Sequence, residues 1–287
     1  MALNGLPLIL VGIIVAAQLF NLIIFHLWRQ KEPFVLFHVA LAYYPLLISI
    51  VAAGISLAQI FPWSDWVSTS LIILFRHSCE FVHTLSLVTL LCISVDCWLS
   101  VEFAIAYRSQ ISKQLVRQVM ALAWVVAVVI ALPGILVNLS SYQVFCNRSP
   151  IDTGYGVGRL VWKTFSGPVI LALLLLCQLH IVMLAVRSKV RQWRAKTRSQ
   201  AVHPASRPLP MIVAHFVWGS LRASMVVLLT AVISELPYMV HATGNFRSYP
   251  ILVRIVYMLP SIQHMYSPLI YLTFFPQFRA IVCRCFA

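Results

Sequence analysis

The chain has 287 residues, of which 61% are hydrophobic and only 10% are charged, and its formal net charge is +14. This composition excludes an ordinary soluble domain, in which about 45–50% of the residues are apolar. The positive charge could suggest nucleic-acid binding, but the basic residues are concentrated in the breaks between long apolar runs. That placement is typical of a membrane protein and argues against nucleic acid as a partner.

Seven apolar runs follow one another along the chain, separated by short polar breaks. A hydrocarbon core about 30 Å thick needs about 20 helical residues to cross it. The sequence therefore predicts an all-α membrane protein, a seven-transmembrane helix bundle with a short amphipathic C-terminal helix. The spans are predicted at about 7–28, 34–60, 70–100, 118–137, 164–186, 211–240 and 250–275, and the tail helix at 276–287.

The basic residues are divided unequally between the two sets of loops. Fourteen of the 21 lie after spans one, three and five or in the tail, whereas four lie after spans four and six. The positive-inside rule therefore predicts a multi-pass plasma-membrane protein with its N-terminus outside and its tail in the cytoplasm. The first run has no basic leader, so we expect it to remain in the mature protein. A basic inner face also suits anionic lipid in the bilayer.

Several polar side chains interrupt the spans. In span one, Gln18 and Asn21 are amides, which usually face protein rather than lipid. In span three, Asp96 is a lone carboxylate at the point where apolar residues give way to polar ones, which we expect at the cytoplasmic end. In span six, Glu235 precedes Pro237, so a buried acid is predicted next to a proline kink.

Two segments outside the spans are candidates for covalent modification. The loop after span four contains glycosylation sequons at Asn138 and Asn147. Asn147 is the better candidate, because Asn138 lies close to the membrane. Cys283 and Cys285 lie in a basic amphipathic segment just after the last span, and we interpret them as candidate acylation sites.

These features together resemble the rhodopsin-like (class A) G-protein-coupled receptors over about residues 16–286. The resemblance implies a receptor for an extracellular ligand that this sequence does not identify, with a heterotrimeric G protein as its candidate inner partner. It implies neither a cofactor nor a metal. The matching positions, in the family's order, are Asn21, Asp96, Trp124, Pro168, Leu236-Pro-Tyr238, Ser267-Pro-Leu-Ile-Tyr271, and Phe278 with Arg279.

The chain departs from the family at the positions that couple to G proteins. Cys97 stands where the family has an arginine that pairs with the helix-three acid at rest and contacts the G protein when active. The resemblance therefore implies weak or atypical coupling. Arg222 is expected either to approach the acid instead or to extend to lipid phosphate. The predicted coupling and switch residues are Asp96, Cys97, Trp98, Arg222, Pro237, Ser267, Pro268 and Tyr271.

A second departure concerns the sodium site that many family members have. The family's helix-two acid falls on Tyr43, and a phenol supplies no fixed negative charge for a cation. Ser86, Gln263 and His264 occupy or surround the rest of that site. We therefore expect a neutral pocket and no dependence on sodium.

A third departure is Glu235, at the position of the family's helix-six tryptophan. That position contacts the middle of helix three, so Glu235 is expected either to pair with His83 or to be protonated and bonded to backbone or Tyr238. Glu80 is available to a polar ligand, although Arg76, four residues earlier, can satisfy it. The predicted ligand-contacting residues are Cys79, Glu80, His83, Glu235, Tyr238, Arg254 and Tyr257.

The resemblance also implies an outer disulfide between the start of helix three and the second outer loop. Counted back from Asp96, the family's spacing falls on Ile72 rather than on a cysteine. Cys146 in the loop thus lacks its usual partner. Cys79, two turns deeper, is the alternative, and it would require the loop to dip about 10 Å into the bundle.

Other functional classes fit the sequence less well. A retinal-binding receptor is excluded, because no lysine lies in span seven. A membrane metalloenzyme is disfavoured because the histidines are scattered over different spans, and a transporter is disfavoured because no internal repeat is evident. Two interpretations of the receptor fold remain open: a signalling receptor, and a non-signalling decoy or modulator whose partner is another receptor.

Overall fold

A computed structural model of the chain describes residues 2–29, 32–60, 65–103, 107, 109–139, 142–144, 150–152, 165–200, 222, 224–237, 240, 259 and 264–286. The helices of these residues are α1 (Ala2–Leu27), α2 (Val35–Ile60), α3 (Asp65–Glu102), α4 (Lys113–Leu139), α5 (Ile170–Gln200), α6 (Ser224–Pro237), α7 (Ser267–Phe274) and α8 (Pro276–Phe286). The predicted helical fold class is confirmed.

Five of these helices are long and apolar enough to cross a membrane. α6 is apolar but shorter within the described residues, and most of the predicted seventh span lies outside them. The spanning windows are Leu8–Leu27, Val35–Gly54, His77–Glu102, Lys113–Pro133 and Gly167–Leu184.

Four helices extend beyond their predicted spans, and two of them, α1 and α4, begin five residues early, at Ala2 and Lys113. α3 begins at Asp65, and α5 continues to Gln200 although its apolar window ends at Leu184. Arg, Lys, Gln and Ala dominate the extension of α5, and these residues are strong helix formers in water. Hydrophobicity therefore defines the membrane segment but not the end of the helix.

The loop after α4 and the start of α5 contain short elements. An antiparallel hairpin, which the sequence did not predict, pairs β1 (Tyr142–Val144) with β2 (Pro150–Asp152). A π-helical turn at Phe165–Val169 leads into α5 and contains Pro168. A π-turn changes the hydrogen-bond spacing, so it accommodates a residue that has no N–H to donate.

α3 is the central helix of the bundle. It contacts α2, α4 and α5, whereas α1 contacts α2, α7 and α8. Of the spanning window of α3, 56% is buried, compared with 22% for α4. The lipid-facing helices therefore surround α3, and its polar end lies among their ends.

Candidate functional site

Asp96 lies near the C-terminal end of α3 and accepts a hydrogen bond from Tyr107. The Tyr107 hydroxyl is 2.8 Å from Asp96 Oδ1. Burial raises the pKa of Tyr107, and the adjacent Asp96 carboxylate raises it further, so the phenol keeps the proton that it donates. Sequence reasoning missed this residue, because it lies eleven positions after the acid, beyond the end of α3.

Arg222 does not take the place of the missing arginine in this structure. Its side chain is exposed, and among the described residues Asp96 has no ion-pair partner within 4 Å. The first of the two alternatives for Arg222, an approach to Asp96, is therefore not observed. Within the described residues, Tyr107 is the side chain that hydrogen-bonds to the acid.

We expect Tyr107→Phe to destabilise the folded receptor by about 1.5–3 kcal/mol, the usual contribution of a hydrogen bond to a charged group. Thermal unfolding in detergent measures the change. The matched control is Tyr43→Phe, which removes the hydroxyl from a side chain that is 51% exposed. Equal losses in the two variants would show that the Tyr107 hydroxyl has no special role.

The two residues after Asp96 face different neighbours. Cys97 is buried with a free thiol in the main apolar core. The ring of Trp98 packs edge-on against Phe103 and His180, both at 6.2 Å between centroids. Since neither side chain carries a charge, neither can form an ion pair with the acid.

His38 joins three helices at the same end of the bundle, a role that sequence reasoning did not assign. The imidazole is buried, with Nε2 at 3.3 Å from the Ser224 hydroxyl and Nδ1 at 3.4 Å from the Tyr271 hydroxyl. These contacts connect α2 to α6 and α7. The signal in the sequence is a lone histidine in an apolar span.

An aromatic cluster surrounds this histidine and holds α8 against the bundle. Phe25 of α1 lies 5.1 Å from Tyr271 and 5.4 Å from Phe278, both edge-on. Such pairs contribute about 0.5–1.5 kcal/mol each beyond the area they bury. The cluster consists of Phe25, Trp28, Phe34, Tyr271, Phe275 and Phe278.

A polar network links the two amides of α1 to the start of α7. Gln18 Nε2 donates to the His264 carbonyl and, at 3.0 Å, to the Ser267 hydroxyl. Asn21 Nδ2 donates to the same hydroxyl at 2.9 Å and to Gln18 Oε1 at 3.2 Å. The Ser267 hydroxyl thus accepts from both amide nitrogens, as expected for amides that face protein, whereas Asn21 Oδ1 is buried without a hydrogen-bond partner among the described residues.

A small cavity of about 30 Å³ lies beside this network. That volume has room for ordered water near the amide and hydroxyl groups. No carboxylate lines it among the described residues, so this donor set does not suit a bare cation. Its lining residues are Gln18, Leu41, Leu90, Val227, Thr230, Ala231, His264, Ser267, Ile270 and Tyr271.

The former sodium-site residues do not all meet at this cavity. Leu41 lines it, whereas Tyr43 is 51% exposed, because two residues along a helix differ by about 200°. The predicted position of Tyr43 in the pocket is therefore corrected. Ser86 is buried on α3 but does not line the cavity, and Gln263 lies outside the described residues.

The predicted ligand-contacting residues include one buried pair of ionisable groups. His83 Nε2 on α3 lies 3.5 Å from Glu235 Oε2 on α6. Glu235 is completely buried, and within the described residues neither carboxylate oxygen has a hydrogen-bond partner. The contact is therefore one of charge and proximity rather than an aligned hydrogen bond.

The other members of that set are less closely associated. Glu80 is 46% exposed on its side chain and lies 3.6 Å from His77, one turn earlier, and Cys79 is a free cysteine. Several residues named in the sequence analysis have side chains outside the part of the chain that the structure describes. They are Arg76, Cys146, Asn147, Tyr238, Arg254 and Tyr257.

The remaining predicted sites lie at helix ends. Asn138 belongs to the last turn of α4, so its sequon extends past the end of that helix. Pro268 occupies the first turn of α7, where its missing N–H costs no hydrogen bond. On α8, Cys283 and Cys285 are both exposed.

The chain matches the family model described as 7 transmembrane receptor (rhodopsin family) over residues 21–271. No individual curated protein matches it. The family match begins at Asn21, which belongs to the polar network, and ends at Tyr271, which belongs to the aromatic cluster. The chain therefore belongs to the rhodopsin family of seven-transmembrane receptors.

Proposed function

We propose that this chain is a plasma-membrane receptor for an extracellular ligand, with weak or atypical coupling to G proteins, and not an enzyme. The observation that carries the proposal is the environment of Asp96. One oxygen of its carboxylate accepts a hydrogen bond from Tyr107, and the next residue is the buried thiol of Cys97. Among the described residues, this end of α3 thus presents no guanidinium with which to hold a partner protein.

The proposed orientation places the N-terminus outside the cell and the tail in the cytoplasm. The proposed modification sites follow from it: glycans on Asn147 or, less favourably, Asn138, and acyl chains on the exposed Cys283 and Cys285. The positive-inside distribution of lysine and arginine supports this orientation.

The proposed mechanism is a shift between two arrangements of the bundle. A ligand that binds one arrangement more tightly than the other increases the population of the arrangement it prefers. The difference between the two affinities sets how far the equilibrium can shift. The outer pocket is proposed to include His83, Glu235 and Glu80. At the inner end, the contact between His38 on α2 and Ser224 on α6 must break before α6 can move outward. This contact therefore favours the arrangement in which α6 stays packed against α2.

A G-protein activation panel on the unliganded receptor, run beside Cys97→Arg, tests the proposal. We expect the natural sequence to give a signal close to the background of mock-transfected cells. We expect Cys97→Arg to raise it several-fold if it reaches the surface in equal amount, because the substitution supplies the missing cation. Surface labelling controls for expression, since a larger side chain in a packed site can impair folding.

A strong signal from the natural sequence would contradict weak coupling. The second candidate function is a non-signalling decoy or a modulator of another receptor, and the same buried thiol favours it. It predicts silence from both the natural sequence and Cys97→Arg, together with ligand binding or association with a second receptor.

A further inference from the structure

Access to water differs between the two members of the buried pair. Glu235 on α6 has no exposed side-chain surface, whereas 24% of the His83 side chain on α3 is exposed. His83 Nε2 lies 3.5 Å from Glu235 Oε2. An imidazole can take up a proton at one ring nitrogen and release one from the other. A proton from water can therefore reach the buried carboxylate through His83.

Within the described residues, His83 is the ionisable group whose charge acts on Glu235. No other side chain of α6 is ionisable. On α3, Glu80 is 46% exposed and lies beside His77, so water already stabilises its charge. Cys79, one turn before His83, has a free thiol, and a thiol is uncharged below about pH 8. The pair therefore titrates without a further charged partner on its own two helices.

Histidines from two other elements lie near the pair or near α6. His264, just before α7, is close enough to interact electrostatically with His83, and its backbone carbonyl accepts a hydrogen bond from Gln18. His38 on α2 contacts Ser224 at the opposite end of α6. Because His38 can also titrate, its response has to be separated from that of the pair.

The number of protons on the pair depends on whether α6 is packed against α3. In the packed arrangement, one shared proton leaves the pair neutral overall, which avoids a net buried charge. When α6 moves away from α3, Glu235 loses its partner, and a buried carboxylate without a partner is neutralised by a proton. His83 then meets water, where a histidine binds a second proton below about pH 6.5.

Acid therefore favours the separated arrangement of α3 and α6. An equilibrium shifts with falling pH toward the state that binds more protons. Above about pH 6.5 both arrangements hold one proton, so pH has no effect on their ratio. Below about pH 6.5 the separated arrangement holds two protons and the packed one holds one. Each further pH unit then shifts the ratio toward separation by up to about tenfold.

We propose that Glu235 and His83 form a proton-binding site through which extracellular acid releases α6 from α3. The proton of His83 passes to the Glu235 carboxylate and forms an O–H bond there. A hydronium ion of the outer solution replaces it on the imidazole, and no other covalent bond changes. The proposal rests on the orientation and the two arrangements of the proposed function, but it requires no G-protein activation.

α6 can carry this effect to the inner end of the bundle. Eleven residues separate Glu235 from Ser224, which corresponds to about 16 Å of helix. Beside the acid, the Ser234 hydroxyl lies 3.3 Å from the Tyr266 hydroxyl, and at the far end Ser224 contacts His38. The helix that carries the acid therefore also carries the contact that must break before the inner end opens.

Hydrogen exchange of the full-length receptor in neutral-lipid nanodiscs tests the proposal without a ligand or a G protein. Exchange is followed at about pH 7.5 and about pH 5.5, on either side of the ordinary range of histidine, and corrected for the intrinsic effect of pH on amides. We expect protection of amides 224–236 to fall at least about threefold at the lower pH, while amides 277–286 of α8 change less than about twofold.

Nanodiscs expose both faces of the receptor to the same solution. The absence of a selective fall in the natural sequence would therefore overturn the proton site, while leaving the proposed orientation and coupling untouched.

Two variants with the same chemical change test the role of the acid. Glu235→Gln removes the proton-binding carboxylate and keeps the shape of the side chain, so we expect the pH response of amides 224–236 to disappear. Glu80→Gln makes the same change on a side chain that is 46% exposed, and we expect the full response to remain. A response that survived in Glu235→Gln, or that vanished equally in both variants, would overturn the proposal.

His38→Gln separates the other source of a pH response. We expect this variant to lower the protection of α6 at both pH values, because it alters the contact with Ser224, and to keep the fall on acidification. A response that vanished in His38→Gln and persisted in Glu235→Gln would assign the titration to His38, and would overturn the proton site at Glu235 and His83.

Discussion

His83→Gln is expected to destabilise the receptor by about 3–5 kcal/mol, because it removes the partner of a buried carboxylate. Glu235 is completely buried, and within the described residues His83 is the ionisable group within 4 Å of it. Glu235→Gln is expected to cost less, since it replaces the acid by a neutral amide. The double variant is expected to be more stable than the sum of the two losses predicts.

A double-mutant cycle measured by thermal unfolding gives the coupling energy, which we expect to be about 1–3 kcal/mol. The matched control is Glu80→Gln, because Glu80 also lies beside a histidine but has 46% of its side chain exposed. We expect that control to lose less than about 1 kcal/mol, as exposed ion pairs do. Losses that simply add would mean that the two groups do not interact.

The fold was predictable because its strongest determinant is local. A helix that crosses a membrane must satisfy its own backbone hydrogen bonds in a run of about 20 apolar residues, so length and hydropathy identify it. The same rule does not find the end of α5, because the solvent beyond Leu184 is water, where helix propensity decides. It also does not find the small hairpin after α4, whose strands are three residues long.

The candidate site was predictable only where the residue type alone is unusual. A carboxylate in span six and a histidine in span three stand out against apolar neighbours, and Glu235 and His83 lie 3.5 Å apart. Tyr107 and His38 were missed because their roles depend on partners that are distant in sequence. Tyr43 was misplaced because a shift of two residues in matching a helix turns the side chain to the opposite face.

Phe278→Ala is expected to be the most damaging truncation in α8, with a loss of about 3–5 kcal/mol. The side chain is completely buried and packs edge-on against Phe25 and Phe20 of α1. Its ring is tilted against that of Tyr271 of α7, at 5.7 Å between centroids. Lipid tails cannot replace these contacts, because the ring is enclosed by protein. The same cluster includes Tyr271, which contacts His38, so loss of the ring also loosens the connection to α6.

Hydrogen exchange separates this effect from general destabilisation. Because Phe278 packs α8 against α1 and α7, we expect amides 276–286 to exchange faster in Phe278→Ala, while those of α3 change little. The matched control is Leu269→Ala on α7, whose side chain is 64% exposed, and which we expect to change stability by less than about 0.5 kcal/mol. If amide exchange changed equally in α8 and α3 in both variants, the bilayer and not the aromatic cluster would fix the position of α8.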